Sequence, residues 1–242
     1  MIPRFYCPFP LAPGATVELP AEAAHHAAKV LRMGQGDAIV LFDGRGGEWT
    51  GRLARVGKTV TVALESFDET EREPPIALTL VQGLAAADKM DWIVQKAVEL
   101  GVAAIQPVAA RRSVIRLSGE RMERRVAHWQ AVAIAACEQC RRNRVPVVSP
   151  LLDLPQFLGQ AAAQNAIRLV LAPAAGERLA DLPKPAGPVM FLVGPEGGFE
   201  ETELAAARLA GFSAVSLGPR VLRTETAGIA ALAAMMALWG DF

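Results

Sequence analysis

The sequence predicts an α/β protein in which a parallel sheet covered by helices on both faces follows a small β-rich module. After residue 75, nearly continuous apolar runs of strand length alternate with amphipathic segments, which is the pattern of a parallel sheet with helices on its two faces. Before residue 66, short strand-like runs are separated by glycine-containing turns. These two patterns indicate two kinds of domain in one chain.

The N-terminal part reads as a short helix followed by three strands. The helix is predicted at residues 21–32, and the strands at 38–42, 48–56 and 59–64, with hairpin turns at DGRGG and GK. The next segment, SFDETEREPP, has four acids, two prolines and no apolar period, which favours a stiff connection. We therefore predict a β-rich domain at residues 1–72 and an α/β domain at 73–242.

The α/β domain contains two glycine loops that follow predicted strands. Its strands are predicted at IALTLVQGL, VAAIQPV, IRLVLA, VMFLVG and SAVSLG, and its longest helix from about Ser118 to Cys140. Asp88 is expected to cap the first helix of this domain and Thr224 the last one. Ligands of parallel sheets bind beyond the carboxyl ends of the strands, where VGPEGG and LGPRVLRTETA both lie.

Composition excludes several classes of protein. Hydrophobic residues make up 52% of the chain and charged residues 21%, which is typical of a globular protein with a sizeable core. No apolar run has membrane-spanning length, and the prolines in MIPRFYCPFP do not suit a signal peptide, so we expect a cytoplasmic protein with no membrane partner. Cys137 and Cys140 have metal-site spacing, but three cysteines and three histidines in total do not favour a metal site.

Positive charge is concentrated in one stretch although the net charge of the chain is zero. The stretch from residue 111 to residue 144 contains three glutamates and nine arginines. The arginines are at positions 111, 112, 116, 121, 124, 125, 141, 142 and 144. Intrahelical pairing, as between Glu120 and Arg124, explains the middle of the stretch. The groups ARRS and CRRNR at its two ends instead suggest guanidinium binding of phosphate.

The two glycine loops predict a ligand site. Glycines at 194, 197 and 198 allow a sharp bend and close approach of a flat ligand to the main chain. Glu196 repels phosphate and suits a cation or a donor-rich ligand, whereas Arg223 and Glu225 lie at the second loop. A tight turn with nothing bound, and arginines that are merely solvated, remain alternatives at this point.

Five segments together resemble a known family. DKMDWIVQKAVELGV, RRS, EQCRRNRVP, FLVGPEGGFEETE and LGPRVLRTETA are similar to segments of the RsmE family of 16S ribosomal RNA uridine N3-methyltransferases, within the SPOUT superfamily. The segment HHAAKVLRMGQGDAIVLFDGRGG resembles the PUA-like domain of that family, so the likeness covers nearly the whole chain. One departure is Arg141, at a position where glycine or another small residue is expected.

The resemblance implies a fold, a cofactor and partners. The fold is a trefoil-knotted SPOUT-type parallel sheet preceded by a PUA-like β-barrel, the methyl donor is S-adenosylmethionine, and the molecule is a homodimer that acts on 16S rRNA without a metal. The donor contacts map to Gly194, Pro195, Glu196, Gly197, Leu217, Gly218, Leu222 and Arg223. Arg223 and Glu225 are the catalytic candidates, and the RNA-binding candidates are Arg4, Arg111, Arg112, Arg141, Arg142, Asn143 and Arg144.

Two rival interpretations make different predictions. A Rossmann-type nucleotide enzyme requires a glycine fingerprint after the first strand of the α/β domain, where the chain reads VQGLAAADKMD and lacks it. A non-catalytic RNA-binding or ribosome-assembly protein with the same fold would not bind the methyl donor. Calorimetry with S-adenosylmethionine separates this second interpretation from a methyltransferase.

Overall fold

The structure of the protein, a computed structural model, describes residues 2–115 and 118–242. It divides into two compact units. The N-terminal unit combines Met1–Glu73 with Cys137–Val145, and the C-terminal unit combines Pro74–Ala136 with Pro146–Phe242. The chain therefore enters the N-terminal unit twice, which the sequence-based boundary at residue 72 did not anticipate.

In the described residues of the N-terminal unit, five strands accompany one short helix. They are β1 (Arg4–Tyr6), β2 (Thr16–Glu18), α1 (Ala21–His25) with a π-helical turn (His26–Val30), β3 (Ala38–Phe42), β4 (Glu48–Val56) and β5 (Val60–Asp68). The strands form a curled half-barrel in the order β1, β3, β4, β5, β2, with β1 parallel to β3 and the other pairs antiparallel. The strands predicted at 38–42 and 48–56 are confirmed, and the third predicted strand continues to Asp68.

Alternating side chains build the core of this unit. Ile39 and Leu41 of β3 are fully buried together with Leu53 and Val62 of the next two strands. The π-helical turn adds Ala27, which is also fully buried. These strand residues lie on one face of the curled sheet, as the period of a strand requires, while Val40 and Phe42 of β3 are buried on the other face.

Buried polar contacts hold the segment Cys137–Val145, with which the chain returns to the N-terminal unit. The Arg142 guanidinium pairs with the Glu73 carboxylate, and its side chain is only 4% exposed. The Asn143 amide, also buried, donates to the Thr70 carbonyl oxygen at 2.7 Å. Residues 69–73, predicted as a stiff linker, therefore form part of the unit and bind the segment that returns to it.

In the part of the chain that the structure describes, the C-terminal unit has seven strands, five α-helices and a 3-10 helix at Leu179–Asp181. The strands are β6 (Leu78–Gly83), β7 (Ala104–Ala109), β8 (Val147–Val148), β9 (Leu152–Asp153), β10 (Ile167–Leu171), β11 (Val189–Val193) and β12 (Ser213–Val215). The helices are α2 (Ala87–Glu99), α3 (Gly119–Cys140, whose last turn from Cys137 belongs to the N-terminal unit), α4 (Leu154–Ala161), α5 (Glu201–Leu209) and α6 (Thr224–Trp239).

The sheet of this unit is parallel and covered on both faces, as predicted. Its order is β12, β10, β11, β6, β7, β8, with β9 also paired to β7, and every pair is parallel. All five residues of β11 are buried. Helices α4 and α5 contribute Phe157 and Ala207 to the core on one face, while α6 packs on β6, β11 and α2.

This strand order brings the two glycine loops together. The chain leaves β11 into the first loop and leaves β12 into the second, and both strands flank β10. Strand order does not determine how the chain threads, so the trefoil knot stays a prediction. None of the helices in residues 2–115 and 118–242 has the length and apolar character of a membrane span.

Candidate functional site

A cavity of about 620 Å³ lies at the carboxyl ends of β10, β11 and β12. Residues 171–173, 193–199 and 220–224 supply most of its lining. Seven of the eight residues predicted to contact a donor are among the lining residues, namely Gly194, Pro195, Glu196, Gly197, Leu217, Leu222 and Arg223. The eighth, Gly218, follows Leu217 with a left-handed φ of 99° and bends the chain there.

Close packing explains the glycines around the first loop. A Cβ on Gly83, at the end of β6, would lie 2.7 Å from the backbone nitrogen of Pro195. A Cβ on Gly197 would lie 2.8 Å from the Cβ of Arg112. Gly198 has a φ of 67° and donates its N–H to the Pro195 carbonyl at 2.9 Å, which closes the turn. The predicted bend is therefore present and tightly enclosed.

A buried hydrogen-bond chain joins three strand and helix ends beneath the cavity. The Gln82 amide, fully buried in β6, donates to the Thr224 hydroxyl at 2.9 Å. That hydroxyl donates in turn to the Gly194 carbonyl at 2.5 Å. Thr224 was expected to cap α6, but its side chain makes no cap, because the hydroxyl bonds to the first glycine loop instead.

Glu196 has partners within the C-terminal unit. Its Oε1 accepts the Ala86 N–H at 2.9 Å and lies 3.4 Å from Lys89 Nζ. Partial burial alone raises the pKa of Glu196, but the hydrogen bonds from the backbone N–H of Ala86 and from Lys89 outweigh it and lower that pKa. The expected cap by Asp88 is absent, because α2 begins after Ala86, whose N–H is bound by Glu196.

Lys89 is the cavity residue that sequence reasoning missed. It lines the cavity from the first turn of α2, and its Nζ also lies 3.3 Å from Glu225 Oε2. Partial burial by itself lowers the pKa of Lys89, but bonding to Glu225 and Glu196 outweighs that effect and raises it. The signal available in the sequence was the segment DKMD, which places a lysine in the first turn of a helix that follows a strand end.

The two catalytic candidates occupy different surroundings. Arg223 lines the cavity and is exposed. Glu225 is half-buried in the first turn of α6 and forms its ion pair with Lys89. The structure thus brings both residues to one region, and it assigns Glu225 a cationic partner other than Arg223.

Arg111 and Arg112 lie beside the first glycine loop. Their side chains are 71% and 54% exposed, and both approach Glu200, at 3.6 and 3.9 Å. Arg112 Nη1 also donates to the Gly197 carbonyl at 3.2 Å. These two predicted RNA-binding arginines therefore reach solvent next to the cavity. Arg116, in the same basic stretch, lies outside the described residues.

The remaining RNA-binding candidates, all in the N-terminal unit, divide by exposure. Arg141 is exposed, and the Arg144 side chain is 56% exposed. Arg4 is only 6% exposed at its side chain, pairs with Glu48 and donates to Asn143 Oδ1 at 2.8 Å. The side chains of Arg4, Arg142 and Asn143 are thus largely buried and make contacts within the unit, which does not favour their predicted role in binding phosphate.

Cysteines and potential metal ligands are dispersed. Cys7 and Cys137 are buried and Cys140 is half-buried, and none of these three cysteines of the described chain is in a disulfide. Burial raises the pKa of Cys137 to about 12, which keeps its thiol protonated near neutral pH. Within the described part of the chain, no group of three or more His, Cys, Asp or Glu residues is placed to hold a metal ion.

Family models match both parts of the chain. A model described as an RNA methyltransferase domain matches residues 72–236, and one described as an RNA methyltransferase PUA domain matches residues 19–64. The ribosomal RNA small subunit methyltransferase E of Buchnera aphidicola from Schizaphis graminum is 31% identical, over 99% of this chain and 98% of the relative. The protein of the same name from Mycobacterium bovis is 36% identical over 92% and 86%.

Two solved structures have the same fold along the whole chain. The ribosomal RNA small subunit methyltransferase E of Neisseria gonorrhoeae, bound to S-adenosylmethionine, superposes with a TM-score of 0.93 at 42% identity. A putative methyltransferase from Legionella pneumophila, also with S-adenosylmethionine bound, superposes with a TM-score of 0.96 at 39% identity. Each alignment covers 100% of both chains.

Proposed function

Because the chain belongs to the family of ribosomal RNA small subunit methyltransferase E, we propose that its cavity is where a methyl group passes from S-adenosylmethionine to N3 of a uridine in 16S ribosomal RNA. The observation that carries this assignment is the glycine-lined cavity at the carboxyl ends of β10, β11 and β12. It coincides with the residues that the family motifs predicted for the donor.

The cavity suits S-adenosylmethionine in size and in chemistry. Its volume of about 620 Å³ is in the range of sites for small ligands, which is roughly 300–1,000 Å³. The glycines expose backbone groups that can hydrogen-bond an adenine edge, and Leu217 and Leu222 offer apolar contact. The donor supplies an electrophilic methyl group on a positively charged sulfur.

The protein's own contribution is to align the acceptor and to stabilise its charge. As N3 of uracil loses its proton and gains the methyl group, negative charge spreads onto the ring carbonyl oxygens in the transition state. We assign the stabilising role to Arg223, whose guanidinium is exposed at the cavity. Glu225 acts through its ion pair with Lys89, as a positioning residue, and the N3 proton leaves to solvent.

Exposed arginines provide the proposed RNA contacts. The set consists of Arg111 and Arg112 beside the cavity and of Arg141 and Arg144 in the N-terminal unit. Guanidinium groups in solvent bind phosphate without reading sequence. Arg4, Arg142 and Asn143 instead fix the backbone of the segment that presents Arg141 and Arg144.

We also propose that the protein is a homodimer in the cytoplasm. The exposed apolar residues Leu238 and Phe242 lie at the end of α6 and just beyond it, with Trp92 exposed on α2. Helices α2 and α6 pack on one another, and we propose that a second copy covers the exposed apolar residues on this pair of helices. Light scattering at micromolar concentration is expected to give twice the monomer mass, and a monomer would contradict the dimer.

The decisive test of the reaction is mass spectrometry of 16S ribosomal RNA from cells that lack the gene. We expect these cells to lack one N3-methyluridine. The intact gene should restore it, and a gene encoding Arg223→Gln should not. If the RNA is unchanged and calorimetry detects no binding of S-adenosylmethionine, the chain is a non-catalytic RNA-binding protein.

The RNA contacts are tested through the salt dependence of RNA affinity. Replacing Arg111 or Arg144 with Gln should reduce the slope of log affinity against log salt by roughly 0.7–0.9, since each loses about one phosphate contact. The matched control is Arg208→Gln, because Arg208 is 54% exposed and pairs with Glu201 on α5 but is not in the proposed set. Equal slopes in all variants would contradict the assignment.

A further inference from the structure

Two carboxylates and one ammonium form a connected group at the cavity, here called the charged triad: Glu196, Lys89 and Glu225. Lys89 Nζ lies 3.4 Å from Glu196 Oε1 and 3.3 Å from Glu225 Oε2, so the lysine stands between the two acids. The side chains of Lys89, Glu196 and Glu225 are 26%, 25% and 19% exposed. Their interactions are therefore less screened by salt than those of fully solvated charges.

The charged triad has one net negative charge at neutral pH. The pKa of Lys89 is raised and that of Glu196 is lowered, so the ammonium and this carboxylate are both held in their charged forms. Lys89 and Glu196 line the cavity directly. A ligand in the cavity consequently contacts Glu196 and Lys89 directly, while Glu225 lies behind Lys89, 3.3 Å from its Nζ, so that two partly buried acids share one ammonium.

Other charges at the cavity have a different environment. Arg220 and Arg223 also line it, but both are exposed to solvent. Water and salt weaken the field of an exposed charge more than that of a partly buried one. The exposed cations are suited to the polyanionic acceptor, whereas the charged triad is suited to a small cation within the cavity.

This difference applies to the two states of the methyl carrier, given the proposed function of the cavity. S-adenosylmethionine has a net charge of plus one at neutral pH, and S-adenosylhomocysteine, formed when the methyl group leaves, is neutral overall. The two molecules differ otherwise by a single methyl group. An excess of negative charge near the carrier therefore favours the donor over the product, because that charge attracts only the donor.

We propose that the charged triad makes the cavity prefer the cationic donor over the neutral product, and that Lys89 sets the size of this preference by neutralising one of the two acids. Removing the lysine charge leaves two uncompensated acids and increases the preference. Removing the charge of Glu225 leaves one acid and one ammonium, with no excess negative charge, and decreases the preference for the donor. Removing both charges restores the original net charge.

Calorimetry of both ligands with the full chain tests this at pH 7 and low salt, where the donor has its charge of plus one. The measured quantity is the ratio of the Kd of S-adenosylhomocysteine to the Kd of S-adenosylmethionine. Lys89→Met is expected to raise the ratio by roughly threefold to tenfold, the effect of one partly screened charge within the site. Glu225→Gln should lower it by a similar factor, and the double variant should return it close to the original value.

The ratio separates an electrostatic role from a structural one. A substitution that merely distorts the cavity weakens both ligands alike and leaves the ratio unchanged. Lys96→Met is the matched control, because Lys96 lies on the same helix and pairs with Glu99 at 2.8 Å without lining the cavity. Its ratio should equal that of the unaltered protein.

The possible outcomes distinguish this inference from the proposed function. If both ligands bind and neither Lys89→Met nor Glu225→Gln changes the ratio, the role of the charged triad is wrong. If Lys89→Met does not fold, the Kd ratio of Glu225→Gln still tests the inference: a lower ratio supports the role of the charged triad, and an unchanged or higher ratio contradicts it. If neither ligand binds the unaltered protein, the donor site itself is wrong, and the failure lies with the proposed function.

Discussion

At Gly83, the absence of a side chain allows the first glycine loop to pack closely against the end of β6. A Cβ at this position would lie 2.7 Å from the backbone nitrogen of Pro195 and 3.0 Å from the carbonyl carbon of Gly194. Because both are main-chain atoms, the first glycine loop would have to move. We expect Gly83→Ala to lower the free energy of unfolding by roughly 1–3 kcal/mol, as overpacking does, and to weaken donor binding. Urea unfolding and calorimetry measure the two effects.

The control for this substitution is Gly159→Ala in α4. No atom lies within 4 Å of a Cβ built there, and its φ is not left-handed. Alanine in a helix is favoured over glycine by up to about 1 kcal/mol, so Gly159→Ala should be neutral or stabilising. If both variants lost donor affinity equally, close packing at Gly83 would not be the cause.

Arg141 combines a strained backbone with an exposed side chain. It follows the end of α3 with a φ of 69°, a conformation that costs a residue with a Cβ about 1 kcal/mol. Arg141→Gly should therefore stabilise the protein by about that amount while it weakens RNA binding. The free energy of unfolding, measured with urea, should rise, while the affinity for RNA, measured by titration, should fall.

Arg32 provides the matched comparison for Arg141. It is also exposed, in the same unit, and has a φ of 55°, but it is not among the proposed RNA contacts. Arg32→Gly should give a similar gain in stability with unchanged RNA affinity. Loss of RNA affinity in both variants, or in neither, would count against a specific role for Arg141.

At the scale of elements, the hydrogen-bond chain of Gln82, Thr224 and Gly194 ties the ends of β6 and β11 to α6. Thr224→Val keeps the shape of the side chain but leaves the buried Gln82 amide and the half-buried Gly194 carbonyl without that partner, which costs roughly 1–3 kcal/mol. Urea unfolding should show this loss, and donor affinity should fall with it. Thr226→Val, at an exposed position of α6, is the control and should change little.

Local sequence signals predicted the elements better than their ends. The apolar runs of β3, β4 and β11 and the periodicity of α2 and α3 are properties of the segments themselves, and they were predicted within a few residues. The caps assigned to Asp88 and Thr224 were wrong. The N–H at the start of α2 is bound by Glu196, 110 residues away in the chain, and no local pattern reports such a partner.

The site shows the same division between local and distant signals. Parallel strands end at one edge of a sheet, so the meeting of the two glycine loops could be predicted. Lys89 was overlooked because its importance comes from two acids that are distant in the sequence, Glu196 in the first glycine loop and Glu225 in the first turn of α6. The burial of Arg4 and Arg142 was equally hidden, since each is neutralised by an acid at least 44 residues away.

At the scale of the whole molecule, the integrity of the N-terminal unit depends on the buried pair of Glu73 and Arg142. Glu73→Gln would leave a guanidinium that is 4% exposed without its charged partner, at a cost of roughly 3 kcal/mol or more. Urea unfolding followed by the fluorescence of Trp49, which lies in this unit, should shift to lower urea concentration.

The control for Glu73→Gln is Glu65→Gln in the same unit. Glu65 pairs with Arg52, and the two side chains are 51% and 57% exposed. Exposed pairs contribute less than about 1 kcal/mol, so this variant should unfold close to the unaltered protein. Similar losses in the two variants would mean that burial of the Arg142 pair is not what matters.

The return of Cys137–Val145 to the N-terminal unit constrains how such a gene can change. A recombination event that exchanged only the coding region up to Glu73 would join a foreign half-barrel to a loop selected for another partner. Arg4 and Tyr6 would then face unfamiliar residues in place of Asn143 and Glu138. Exchange of the first unit alone is therefore expected to be disfavoured, because it would separate these residues from their partners.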